Sequence, residues 1–139
     1  MRRAAVTQRI LVIGGGAAGI GAAGAAKGTN PDADVRVYTE FEDVGYSPCG
    51  IPYVHGKEIP DFERLFLATK ETYEASGIDI HYERAVTGID IDGKSVSVDG
   101  EGSVGYDKLI ICTGFEYAPT PRCRRKHTGP SCRSRRRSG

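Results

Sequence analysis

Three glycines, Gly14, Gly16 and Gly19, stand in a Gly-x-Gly-x-x-Gly string directly after the apolar run Ile10-Leu11-Val12-Ile13. That pattern suits bringing backbone N–H groups against a pyrophosphate. Gly14 permits the sharp exit from a strand, Gly16 lets amides approach the phosphates, and Gly19 lets the next helix pack close to the sheet. The helix start at Ala17 and Ala18 then faces the anion with free N–H groups and the positive end of the dipole. An acid about 20 positions past the third glycine would bind ribose hydroxyls. Thr39 stands there and Glu40 one position further. Glu40 is assigned, because a carboxylate can accept two hydroxyl protons. The bland alternatives are a glycine-rich turn with no ligand and a surface acid at a strand end.

The second chemistry is that of sulfur. Cys49 lies in Gly45-Tyr46-Ser47-Pro48-Cys49-Gly50-Ile51-Pro52-Tyr53. If a helix begins at Cys49 or Gly50, Pro52 falls in its first turn, where proline is tolerated, and the thiol faces the positive end of the dipole. A lone cysteine is otherwise buried filler. The remaining cysteines do not pair with it by spacing: Cys112 is 63 positions away, and Cys123 and Cys132 lie in a different kind of sequence. No Cys-x-x-Cys string occurs, so neither a zinc site nor a disulfide framework is expected, and no metal is assigned.

Elements that could hold these residues are legible. Ile10–Ile13 reads as a strand buried on both faces, followed by the glycine turn and an Ala/Gly helix as far as Gly28. Gly21 and Gly24 weaken that helix by about 1 kcal/mol each relative to alanine, so close packing at both is expected to offset them. Asn30-Pro31-Asp32 marks a turn, and Val35–Tyr38 a second strand. A helix is expected over 49–55. Another runs over 69–76, where Thr69 could cap and Glu71 and Glu74 favour the N-terminal half. Residues 78–82 alternate as a strand. Ile89–Ile91, Asp92-Gly93 and Val96–Val98 read as a hairpin whose turn tolerates positive φ. Leu109–Cys112 is a second fully apolar strand with Cys112 in the core, closed by Thr113 and Gly114 at its carboxyl end. The order strand, glycine turn, helix, strand opens a dinucleotide fold of the α/β class.

Charge divides the chain abruptly. Through Pro121 there are 11 Lys and Arg against 18 Asp and Glu; from Arg122 onward there are seven Arg, one Lys and no acid. Such a segment buries too little apolar surface to offset its ordering entropy. It could contact nucleic acid or a membrane surface through phosphates, but it has no aromatic residue to stack on bases. Translation out of the parent frame is the reading preferred, and no nucleic-acid or membrane partner is assigned. The basic start Met1-Arg2-Arg3 is not followed by an apolar stretch, so it does not read as a signal peptide and a cytoplasmic location is expected. The expected organisation is a leader over 1–8, a folded part over 9–118 and a basic tail over 119–139.

Residues 9–119 resemble the pyridine nucleotide–disulfide oxidoreductases. Ser47-Pro48-Cys49-Gly50-Ile51-Pro52-Tyr53 is similar to the single-cysteine branch, coenzyme A-disulfide reductases and related NADH oxidases. Tyr106–Gly114 is similar to the family's YDKLIIATG segment, with Cys112 where alanine is usual. The branch with a Cys-x4-Cys pair is excluded, because Val54 stands five positions after Cys49. The resemblance implies an incomplete, N-terminal, Rossmann-like FAD-binding domain with a small antiparallel hairpin or meander insert. It implies that Gly14, Gly16, Ala17, Ala18, Gly19, Glu40, Pro48, Thr113 and Gly114 contact FAD. Cys49 would be the redox-active thiol, receiving electrons from NADH or NADPH through FAD and passing them to coenzyme A disulfide or oxygen. Only one glycine loop is present, so the nicotinamide site and the interface domain that pairs subunits in the family are expected outside this chain. The 139-residue chain is expected to be inactive by itself. Two other functions remain open: a non-catalytic nucleotide-binding module with a basic nucleic-acid-binding tail, and a flavoprotein that uses no thiol, such as a ferredoxin reductase.

Overall fold

A computed structural model describes residues 7–115. The leader's first six residues, the boundary near 118 and the tail from 119 lie outside the described residues. Four parallel strands form the central sheet: β1 (Arg9–Ile13), β2 (Asp34–Tyr38), β3 (Ile78–His81) and β7 (Lys108–Ile111), in the order β3-β2-β1-β7. β1 is central, and its Leu11 and Val12 have no exposed surface. This is why the run from Ile10 to Ile13 is apolar without alternation.

Helices cover one face. α1 (Ala17–Thr29) and α3 (Lys70–Ala75) place Ile20, Ala23 and Tyr73 against Ile10, Val12, Val35, Val37 and Ile78. The expected cap holds: the Thr69 hydroxyl accepts from the Thr72 amide at 3.4 Å. The other face is covered by an antiparallel meander of β4 (Val86–Asp90), β5 (Ser95–Val98) and β6 (Gly102–Gly105). Val96, Val98 and Val104 of the meander pack on Leu11, Ile13 and Tyr38. Adjacent residues of β1 thus serve opposite cores, as strand alternation requires.

Ion pairs join β1 to β2, and a polar cluster ties the sheet to the meander. Arg9 and Arg36 both reach Asp34, at 2.8 and 3.0 Å. Burial pushes the Asp34 carboxyl up, but the hydrogen bonds and charges of the two arginines outweigh it and hold the group below its usual value. On the meander side, Tyr38 stacks on His81 at 4.4 Å and donates to Glu101 at 3.1 Å. Burial, reinforced by the Glu101 charge, raises the Tyr38 hydroxyl.

Several expectations are corrected. Gly21 and Gly24 pack against nothing: a Cβ at either would meet no atom within 4 Å. Both face solvent, so α1 carries their conformational cost without a packing return. The hairpin turn is Ile91–Lys94, and its positive φ falls on Lys94 (47°), not on Gly93, whose N–H is held by Asp90 Oδ1 at 2.8 Å. The strand at 102–105 lacks any apolar alternation beyond Val104; it forms because Gly100 (φ 73°) and Gly102 (φ 89°) reverse the chain beside β5. β3 ends at His81, and β7 ends one residue before Cys112.

Candidate functional site

The glycine loop leaves β1 at the carboxyl end of the sheet. Gly14 has φ 109°, and its N–H donates to Tyr38 O at 2.8 Å. A Cβ at Gly14 would collide with the Cys112 carbonyl, and one at Gly19 with the Gly14 carbonyl. These two glycines are therefore required by the protein's own backbone. Gly16 differs. Its backbone is extended (φ −72°, ψ −178°), open to any residue, and a Cβ there would meet nothing within 4 Å. It caps α1 without a side-chain hydrogen bond, no acid stands in the helix's first turn, and Gly16, Ala17 and Ala18 are all exposed.

Around this loop the ends of three strands converge. Beyond β2, Thr39 is 3% exposed and its hydroxyl accepts from the Phe41 amide at 3.3 Å. Its carbonyl accepts from Arg84 N–H at 2.7 Å. Thr39 is thus spent on the fold, whereas Glu40 is exposed to solvent. Beyond β7, the Cys112 amide donates to Ile13 O at 2.8 Å, so the strand pairing continues past the last assigned residue. Cys112 is half-buried, its Cβ 3.6 Å from where a Gly19 Cβ would stand. Thr113 and Gly114 follow, both exposed, with Gly114 at φ 73°.

Cys49 is exposed and sits in a 3-10 turn, Pro48–Gly50, which leads into the five-residue α2 (Ile51–His55). Pro52 is in the first turn of α2, as its tolerance there requires. The α-helix begins at Ile51, two residues after the thiol and not at Cys49 or Gly50, and is little more than one turn long, with Cys49 in the 3-10 turn that precedes it. The turn is fixed from both sides. Ser47 N–H donates to Leu65 O at 2.9 Å, and a Cβ at Gly50 would run into the Leu65 side chain. Tyr46 bridges to Phe66, their rings 5.8 Å apart.

The link between the two chemistries is Gly45. Its N–H donates to the Gly15 carbonyl at 2.8 Å, and its own carbonyl accepts from Leu67 N–H at 2.9 Å. Gly45 has φ 67°, and a Cβ there would strike the Tyr73 hydroxyl. The glycine loop and the cysteine segment are therefore joined by one backbone hydrogen bond through a position that only glycine fills without strain. Sequence reasoning missed Gly45 as a site residue. Its signal was a glycine opening the Cys49 string, but its partners, Gly15 and Tyr73, lie about thirty residues away on either side.

Residues 8–132 match the sequence model of the pyridine nucleotide-disulphide oxidoreductases, a family of FAD-dependent enzymes that use NAD(P)H. An NADH oxidase of Methanocaldococcus jannaschii is 38% identical over 116 residues, covering 78% of this chain and 25% of its own. The CoA-dependent NAD(P)H sulfur oxidoreductase of Pyrococcus abyssi is 39% identical over 118 residues, covering 82% of this chain and 26% of its own. Among solved structures, the NAD-dependent persulfide reductase of A. fulgidus superposes with a TM-score of 0.76 at 32% identity, over 82% of this chain and 22% of its own. The chain spans about a quarter of the length of the curated relatives it matches.

Proposed function

The chain belongs to the pyridine nucleotide-disulphide oxidoreductases, and from that premise we propose that it forms the FAD-and-thiol part of an NAD(P)H-dependent reductase. Its acceptor would be a small disulfide such as coenzyme A disulfide, or oxygen. The observation that carries this reading is the Gly45–Gly15 hydrogen bond, which seats the Cys49 segment on the glycine loop.

The residues present fit FAD. Gly16 occupies a place where neither backbone conformation nor packing asks for glycine. Its missing side chain is accounted for by a phosphate group brought up against the amides of Ala17 and Ala18. Gly14 and Gly19 shape that cradle, and Glu40, exposed past β2, takes the ribose hydroxyls. Thr113 and Gly114, exposed at the end of β7, and Pro48, exposed before Cys49, would line the approach. When bound, FAD supplies acceptance of a hydride from NAD(P)H and delivery of two electrons to sulfur or oxygen.

Cys49 takes the role of the reacting thiol. Its exposure lets the thiolate attack one sulfur of an acceptor disulfide, forming a mixed disulfide with the protein and releasing the other half as a thiolate. The 3-10 turn that carries this sulfur is tied to the chain at Leu65 by the Ser47 N–H. With oxygen or peroxide as acceptor, the same residue would cycle as a sulfenic acid. The relatives named NADH oxidase and CoA-dependent NAD(P)H sulfur oxidoreductase support a reduced nicotinamide as donor and a sulfur compound among the acceptors. In the enzyme that contains this chain, Cys49→Ser should abolish disulfide reduction while NAD(P)H still bleaches the flavin. Undiminished disulfide reduction by that variant would make Cys49 structural. Among the described residues no helix is long and apolar enough to cross a membrane. By family resemblance the enzyme would pair as a homodimer through its C-terminal part.

A further inference from the structure

The glycine motif gives tasks to Gly14, Gly16 and Gly19 and leaves Gly15, between them, without one. Its φ is not positive, so the backbone itself does not ask for glycine there. Packing does. Gly15 is buried, and a Cβ on it would stand 2.5 Å from Val44 Cγ1 and 3.1 Å from both Cβ and Oγ1 of Thr39. The missing side chain leaves a notch in the loop, and the Val44 side chain fills it.

Neither Val44 nor Thr39 can yield cheaply. Val44 is 5% exposed and belongs to the core that contains Val12, Val37 and Tyr73. A β-branched side chain has few rotamers to escape into, and a close-packed core has no room to receive it. Thr39 is held at three points: its N–H donates to His81 O at 3.1 Å, its carbonyl accepts from Arg84 N–H, and its hydroxyl accepts from Phe41 N–H. What Val44 carries is the segment of the thiol. The next residue, Gly45, donates to Gly15 O, which among the described residues is the one backbone hydrogen bond between residues 14–19 and 44–50. On its far side the segment is tied to 65–67 by Gly45 O, by the Tyr46–Phe66 bridge and by Ser47 N–H. How deeply Val44 seats at Gly15 therefore governs where the thiol stands relative to the loop.

We propose that Val44 is a positioning residue, seated in the notch at Gly15, which sets how Cys49 stands to the phosphate loop. The proposal rests on the FAD-and-thiol reading above and adds the pair of residues that fixes its geometry. The hydrogen bond from Gly45 ties one pair of atoms, and the side chain in the notch sets the angle and depth at which the two segments meet. That precision matters chemically, because misplacing a reacting group by about 1 Å can cost about a hundredfold in rate.

The full 139-residue chain, with Cys112, Cys123 and Cys132 replaced by serine, tests this through Gly15→Ala, Val44→Ala and the two combined. Without FAD, exchange of the Gly45 amide hydrogen is followed by NMR. Each single variant should speed it about tenfold. The double variant, whose new methyl takes up space the valine methyls leave, should exchange within about threefold of the parent. The second measurement is made with FAD bound and Cys49 held as its mixed disulfide with coenzyme A. The flavin is reduced by light, with a sacrificial amine as electron donor and no oxygen, and its two electrons cleave the S–S bond to free coenzyme A as a thiolate. Release per bound flavin should slow about tenfold in each single variant and recover in the double. FAD affinity, which depends on Gly16, should change by no more than about twofold. A double variant as slow as the single ones, or slower, would overturn the proposal, because unrelated defects add. So would single variants whose Gly45 exchange matches the parent. Release absent from the parent chain itself would overturn the FAD-and-thiol reading, and the positioning role with it; normal release without rescue removes only the part given to Val44.

Discussion

Replacing the three loop glycines one at a time should separate ligand binding from folding. Gly16→Ser places a side chain where the backbone tolerates any residue and where a Cβ meets no atom within 4 Å. The new hydroxyl can cap α1, which has no side-chain cap at present. Serine and glycine caps differ by only a few tenths of a kcal/mol, and losing a glycine restricts the unfolded chain, so stability should stay level or rise by up to about 1 kcal/mol. Gly14→Ala instead forces a Cβ into the Cys112 carbonyl at φ 109°, and Gly19→Ala forces one into the Gly14 carbonyl. Overpacking, with left-handed strain added at Gly14 alone, should cost each about 3 kcal/mol. FAD affinity orders the variants differently. Blocking the phosphate from charge-assisted amide contacts worth about 2 kcal/mol should weaken binding about thirtyfold in Gly16→Ser. Urea unfolding followed by circular dichroism gives the first quantity, and quenching of flavin fluorescence on titration the second. If Gly16→Ser binds FAD as the parent does, or unfolds as easily as Gly14→Ala, the division of the loop into structural and ligand-facing glycines is wrong.

Three further outcomes follow from the packing. Gly21→Ala and Gly24→Ala should each stabilise the protein by about 1 kcal/mol, because neither Cβ meets anything and α1 gains propensity; unchanged urea midpoints would contradict this. Asp34, held below its usual pKa, stabilises the fold above about pH 4, and the stabilisation fades as pH falls through the folded value. The stability gap to Asp34→Asn, about 1 kcal/mol after allowance for partial exposure, should therefore close on acidification, and a constant gap would refute the pairing. Finally, β7 pairs only with β1 among the described residues, and its Ile111 is 57% exposed. Ile111→Lys should suppress association measured by light scattering.

The sheet and α1 were legible because their signals are local. A doubly buried strand reads as an uninterrupted apolar run, and a glycine turn between strand and helix has one arrangement to adopt. Glu40 was assigned over Thr39 on its carboxylate alone, and the structure adds that Thr39 is buried and bonded to Phe41 while Glu40 is exposed. The glycines were the least legible. Separate roles for Gly14 and Gly16 could be read from the motif, but the packing expected at Gly21 and Gly24 could not be checked there, and what each glycine touches is decided by residues as remote as Cys112, or by nothing. Gly45 escaped notice for the same reason, since its φ and its two hydrogen bonds answer to Gly15, Leu67 and Tyr73. β6 was hidden because glycine reversals, not periodicity, create it.

The central claim is that the glycine loop and Cys49 form one electron path, and it can be measured without a nicotinamide site. The chain is loaded with excess FAD, and Cys49 is converted to its mixed disulfide with coenzyme A, with Cys112, Cys123 and Cys132 replaced by serine. The flavin is then reduced by light in the absence of oxygen. The account predicts that coenzyme A is released as the flavin reoxidises, and that Gly16→Ser, with its roughly thirtyfold weaker hold on FAD, needs correspondingly more FAD for the same release. Flavin that stays reduced while coenzyme A remains attached to Cys49 would contradict it.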